Sequence, residues 1–431
     1  MLKRAIGRWD LLILFINGII GAGVFGLPSK IFAEVGVYSI PAIMACALLV
    51  IILVLNFAEV STRFNKTGGP YLYTLKAFGS IPGFVLGWLL LITRVATFAA
   101  LVNLIVTYLT YLVPAAAETP VREGIIIGVT ALLTLINYLG IKNTTRVNNF
   151  LGISKMIPLL LFAVVGVFFL DTSTYDFSAN APDISEFSTS VLLLIFAFTG
   201  FESVIVTTGE AKNPQKDLPF ALIGSILVVS FFYIVIQFVT IGTLPGLIDS
   251  DKPLTDAARR FMGPAGGAMI TFGAMLSIGG TLNAVMLVGS RVPFAFSERN
   301  QFFPLFKKLH PRFHSPHFSL FLFAGVALLA SLSGSFIYAA TISAISKIMI
   351  FATVSAALIR LRLKKDPETK HAAFKLPGGY VLASIGIVVS LILLYSSEAN
   401  EFRDVVIAMS VGLVLYGIYR ITALKRSKEK V

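Results

Sequence analysis

The feature that most restricts this chain is the length of its apolar runs, which extend for about 20 residues with short polar stretches between them. A run of about 20 apolar residues crosses the hydrocarbon of a bilayer as a helix, whereas a helix lying on a water-soluble core carries only an apolar stripe. Twelve such runs can be placed, at 10–33, 38–60, 82–112, 122–140, 148–170, 188–208, 219–243, 266–292, 317–335, 337–361, 378–396 and 403–421. With 56% hydrophobic and 13% charged residues, the chain has too little polar surface to cover a soluble domain, so the bilayer must be its solvent. The expectation is an all-α integral membrane protein with 12 transmembrane helices and no soluble domain. The first run follows Met1 to Asp10 without a cleavage pattern, so it reads as a retained span.

A net charge of +13 raises the question of nucleic acid. The basic residues answer it by their position, because they lie between the apolar runs and mostly on one side. Alternate connections and both termini hold 26 Lys and Arg, the opposite connections six. That asymmetry puts the termini and the basic loops in the cytoplasm, and argues against a nucleic-acid partner. The connection carrying Asp171, Asp176, Asp183 and Glu186 falls on the outer side. Cys46 is the sole cysteine and lies in an apolar run, so disulfides and thiolate metal clusters are not expected.

Function must therefore reside within the membrane. The first run is interrupted at Asn17-Gly18-Ile19-Ile20-Gly21-Ala22-Gly23-Val24-Phe25, where each glycine lowers helix stability by about 1 kcal/mol relative to alanine. The sixth has a matching weak point, Phe196-Ala197-Phe198-Thr199-Gly200-Phe201-Glu202. Two broken segments five helices apart are the mark of inverted repeats with a binding site at mid-membrane. Unwinding frees backbone N–H and C=O groups, which hydrocarbon tolerates only around a cavity. A zwitterion supplies both partners: its carboxylate accepts from the amides of Gly21, Ala22 and Gly23, and its ammonium meets the carbonyls of Ile19, Phe196 and Thr199. The plainer reading of Gly21-Ala22-Gly23 is close helix packing, which leaves the break in the sixth run unexplained.

Gly21-Ala22-Gly23-Val24-Phe25 resembles the first-helix signature of the amino acid/polyamine/organocation (APC) transporter superfamily. Phe57-Ala58-Glu59 with Arg63-Phe64, Gly68-Gly69-Pro70-Tyr71 and Phe78-Gly79 resembles its early cytoplasmic signature. Ala197 to Glu202 followed by Glu210-Ala211-Lys212-Asn213-Pro214 and Pro219 is similar to its sixth-helix block, and Ser290-Arg291-Val292 with His310-Pro311-Arg312-Phe313 to the loop after helix eight in bacterial members. The resemblance implies the leucine-transporter fold, with a first repeat over 1–170, a second over 188–361 and two extra helices over 378–421. It also implies secondary transport of amino acids by alternating access, in a monomer or homodimer of the bacterial inner membrane, with no cofactor. No G-x-x-x-x-G-K-[ST] loop is present to support ATP hydrolysis.

Ionisable groups inside a span cost at least about 2.5 kcal/mol and usually face a cavity or a partner. Lys155 resembles the helix-five lysine of proton-coupled relatives, which stands where sodium-coupled ones hold an ion. Desolvation disfavours its charged form, suiting it to take and release a proton; the other reading has it reach to the headgroups. Glu202, after the second break, is expected in the gate or proton path, or in a packing hydrogen bond. Arg94, mid-helix where many relatives are uncharged, shares a face with Thr97, Phe98 and Leu101. It either receives an anionic or hydrogen-bond-accepting substrate group or pairs with Glu202.

No role is assigned to Lys347. Phe196, Phe198 and Phe201 are candidates for gating or for packing. His310, His314 and His317, interrupted by Pro311 and Pro316, do not have metal-ligand spacing. Asn143 lies in a cytoplasmic loop and is not a glycan acceptor. A membrane enzyme would need a nucleophile, base and orienting group that the helices do not offer, and a channel would need a filter run or charged rings. Exchange, polyamine carriage and non-transporting amino-acid sensing remain alternatives, although Arg94 disfavours polycations.

Overall fold

The structure, a computed structural model, describes residues 7–21, 23–64, 69–139, 154–177, 181–205, 212–313, 315–334, 336–364 and 372–428. Among them there is no strand. The first apolar run is divided, as its glycines require, into α1 (Arg8–Ile19), the single turn α2 (Gly23–Gly26) and α3 (Pro28–Val35), with Pro28 in the first turn of α3. Then come α4 (Ser39–Thr62), α5 (Gly69–Phe78), α6 (Ser80–Leu109), α7 (Thr119–Tyr138) and α8 (Met156–Gly166). The sixth run is divided too: α9 (Ile184–Phe198) ends at Thr199 and Gly200, and the short α10 (Phe201–Val204) follows. The chain continues through α11 (Pro214–Thr243), α12 (Pro253–Glu298), α13 (His317–Ser333), α14 (Phe336–Leu363), α15 (Gly379–Tyr395) and α16 (Ala399–Lys428).

Local chemistry explains most of these ends. Asp183 accepts the Glu186 amide at 2.8 Å while Glu186 accepts the Asp183 amide at 3.1 Å. This reciprocal cap satisfies two donors that a helix start leaves orphaned. Prolines open α3, α7, α11 and α12, where a missing N–H costs nothing. The run expected at 266–292 starts earlier, because α12 reaches back to Pro253 through a kink at Gly263 with φ 71°. Only glycine enters that region of backbone space readily.

Among the described residues, seven helical stretches are long and apolar enough to cross a bilayer: 28–62, 80–109, 119–138, 215–243, 253–298, 337–363 and 399–422. The outward faces of the last two helices are apolar. Val381, Val388, Leu391 and Tyr395 on α15, and Val411, Val414 and Ile421 on α16, are all exposed, which water would penalise and lipid accepts. Polar groups instead turn inward: Asn56 of α4 donates to Ser355 of α14 at 3.0 Å, and Asn137 of α7 to Asn283 of α12 at 2.9 Å. In lipid such bonds and small-residue contacts join helices that hydrophobicity cannot. Helix α6 is central, packed along α12 and α14, and it reaches the divided helices through Tyr108, which donates to the Phe25 carbonyl at 2.7 Å, and through Arg94 beside Glu202.

Candidate functional site

The two breaks meet. Gly200 adopts φ 129°, and a Cβ there would run into the carbonyl oxygen of Gly18; a Cβ on Gly23 would strike Ala197. Backbone thus lies directly on backbone, which explains glycine at both positions. Beside this contact lies a cavity of about 240 Å³, smaller than the roughly 300–1,000 Å³ that holds drug-sized ligands. Its walls come from the α1–α2 break, α6, Lys155, the α9–α10 break, α12 and α14.

Among the sequence-predicted residues, Ile19, Gly21, Gly23, Arg94, Lys155, Phe196 and Thr199 line this cavity. Ala22 lies outside the described residues, as do His314 and Asn143. Lys155 is buried, and its ammonium donates to the carbonyl of Asn17 at 2.7 Å and to that of Ile20. It therefore points into the protein, across the α1 break, and not out to headgroups. The Ile19 carbonyl accepts Tyr233 Oη at 3.3 Å and the Phe196 carbonyl accepts Thr199 Oγ1 at 2.9 Å.

Glu202 is buried, with one carboxylate oxygen on the Gly200 amide at 2.8 Å and the other 3.4 Å from Arg94 Nη2. Charge-assisted N–H···O⁻ bonds usually measure about 2.7–2.9 Å. Glu202 is thus foremost the cap of the α10 turn and only a loose partner of the arginine. Arg94 thus pairs with Glu202 and also lines the cavity.

Three aromatics fall elsewhere. Phe98 is buried edge-on against Phe323, Phe198 packs edge-on against Tyr233, and Phe201 forms a three-ring cluster with Phe57 and Phe351. None of the three is on the cavity wall; on a helix inside a bundle, half the faces meet other helices. His310 stacks on Phe313 and accepts the amides of Arg312 and Phe313 at 3.2 Å each, which makes it a loop brace.

Sequence reasoning passed over Lys347. It lies on the cavity wall, bonded to Thr199 Oγ1, with its ammonium 5.2 Å from the centre of the Phe196 ring. An ionisable residue well inside an apolar run was the signal, and uncertainty about where that run ends obscured it. Thr97, also on the wall, bonds Ser343 of α14 at 2.9 Å and fixes the register of α6 against α14.

The sequence matches the family described as amino acid permease over residues 6–416. A branched-chain amino acid permease of Bacillus subtilis (strain 168) is 30% identical over 442 residues, which span 97% of this chain and 93% of that protein. A serine/threonine exchanger of the same organism is also 30% identical, over 97% of this chain and 96% of its own length. A methylthioribose transporter, again from that organism, is 28% identical over 97% and 94%. Together with its apolar helices, these matches make the chain a multi-pass membrane protein among transporters. The chain belongs to the amino acid permease family.

Proposed function

We propose that this protein carries amino acids across a bacterial cytoplasmic membrane by alternating access, with uptake coupled to protons. The observation supporting this reading is the meeting of two unwound backbone segments at one cavity, with the Lys155 ammonium braced across the first. The substrate α-carboxylate accepts from the amides around Gly21 and Gly23, and its ammonium meets the carbonyls of Ile19, Phe196 and Thr199. Protonated Lys155 ties Asn17 and Ile20 together and stiffens the α1 break. Loss of its proton weakens those bonds and frees the break to move, so the charge state of one side chain biases which face opens. Glu202 holds the α10 turn and passes the proton between cavity and helix end.

In this reading the chain makes 12 spans. Residues 1–170 and 188–361 form inverted repeats around the site, and 378–421 adds two helices outside them. Both termini lie in the cytoplasm, where the basic loops favour them, and the transporter works as a monomer or homodimer. A second reading, obligatory exchange, draws on the relative named a serine/threonine exchanger. Reconstituted liposomes separate the two. Uptake driven by an inward proton gradient and abolished by Lys155→Ala supports symport, and uptake that requires amino acid already inside supports exchange. Gradient-driven uptake unchanged in Lys155→Ala removes the lysine from the mechanism.

A further inference from the structure

The charge inventory of the cavity is lopsided. Arg94, Lys155 and Lys347 all reach its wall, and no Asp or Glu among the described residues does. The nearest carboxylate, Glu202, is one residue against three, and it spends one oxygen on the Gly200 amide. Lys155 is occupied by two backbone carbonyls. Arg94 and Lys347 are held differently. The antiparallel register set by Thr97 and Ser343 brings residues one turn further on, Arg94 on α6 and Lys347 on α14, to the same level. Lys347 lies within electrostatic range of both Arg94 and Glu202. Its remaining contacts are a neutral hydroxyl and a ring face. Burying three cations around one cavity with a single nearby carboxylate, which also serves the Gly200 amide, is unfavourable unless a further anion joins them.

We infer that the cavity takes amino acids bearing a carboxylate side chain, with that carboxylate seated between Arg94 and Lys347. The inference rests on the amino-acid transport reading and adds the substrate class to it. The two ends of the ligand use different chemistry. Its backbone groups meet the peptide groups of the two breaks, which any α-amino acid satisfies, while its side-chain carboxylate completes an ion cluster that a neutral side chain leaves open. The planar fork of Arg94 offers two parallel donors and the Lys347 ammonium a third. Cationic amino acids are repelled by the same pair.

The test is uptake of radiolabelled L-aspartate, L-glutamate, L-asparagine, L-glutamine, L-leucine and L-lysine into liposomes containing the full-length protein. The acids are expected to exceed their isosteric amides by about tenfold or more, because the amides leave the buried cations unpaired. Lys347→Gln and Arg94→Gln should each cut the acid-to-amide ratio by a similar factor, with Lys347→Arg keeping the preference. Thermal unfolding in detergent checks that each variant is folded, and the wild-type ratio decides the matter even if both variants fail that check. Efficient uptake of amides or leucine without acid preference, including uptake that requires chloride as the missing anion, overturns the substrate class and leaves the transport reading intact. Uptake of none of the six amino acids overturns both.

Discussion

Two buried ion clusters in this protein use the same residue types to opposite ends. At the end of α4, the Glu59 carboxylate accepts Arg63 Nη2 at 2.8 Å, Arg362 Nε and Nη2 at 2.9 and 2.5 Å, and the Leu376 amide at 2.9 Å. Arg362 adds a bond to the Leu376 carbonyl at 2.8 Å and lies over the Tyr380 ring. The cluster joins α4, α14 and the segment leading into α15, with four donors on one acid. At the cavity, Glu202 has one close donor, and Arg94 stands 3.4 Å away. A closed cluster recovers the cost of burying its charges in the folded state. An open one leaves part of that cost to be recovered when a ligand arrives.

Removing the acid from the closed cluster is the strongest challenge to this contrast. Glu59→Ala strands two arginines and is expected to cost about 3–5 kcal/mol, seen as poor yield and a sharply lowered unfolding temperature in detergent. Next, Gly200→Ala forces a Cβ into the Gly18 carbonyl at φ 129°, at a cost of about 1–3 kcal/mol. Uptake should suffer more than stability, because the two breaks no longer meet; a variant that transports normally would show the contact to be dispensable. Glu202→Gln retains an oxygen for the Gly200 amide but takes the charge from the one carboxylate near Arg94, so its stability should fall by about 1–3 kcal/mol. A loss equal to that of Glu59→Ala would erase the distinction between the clusters. Lys30→Ala, which breaks a solvent-facing pair with Asp251 at 2.9 Å, sets the baseline at under about 1 kcal/mol.

The contrast also shows what a sequence conceals. Glu59 sits in a stretch that resembles the family's early cytoplasmic signature, but its partner Arg362 is 303 residues away, and nothing in spacing pairs them. Lys347 was legible as an ionisable group in an apolar run, yet its role depends on a register with α6 that only packing supplies. Phe98 and Phe198 carried the opposite difficulty: they stand in the right helices, and rotation of those helices turns them into neighbouring chains of aromatic and aliphatic packing.

What the sequence determined by itself was everything that depends on local composition. Runs of apolar residues demand lipid around them, the glycines at 21, 23 and 200 weaken helices wherever those helices lie, and a lone lysine or arginine inside such a run demands a partner. The tertiary structure alone decided which partner. It brought Gly18 to Gly200, Lys155 to the carbonyls of Asn17 and Ile20, and Lys347 to Thr199. Backbone preference and hydrophobicity act over a few residues and can be read from the chain in order. Charge pairing and cavity formation act through space, between helices whose rotation and register are fixed only when all of them pack together.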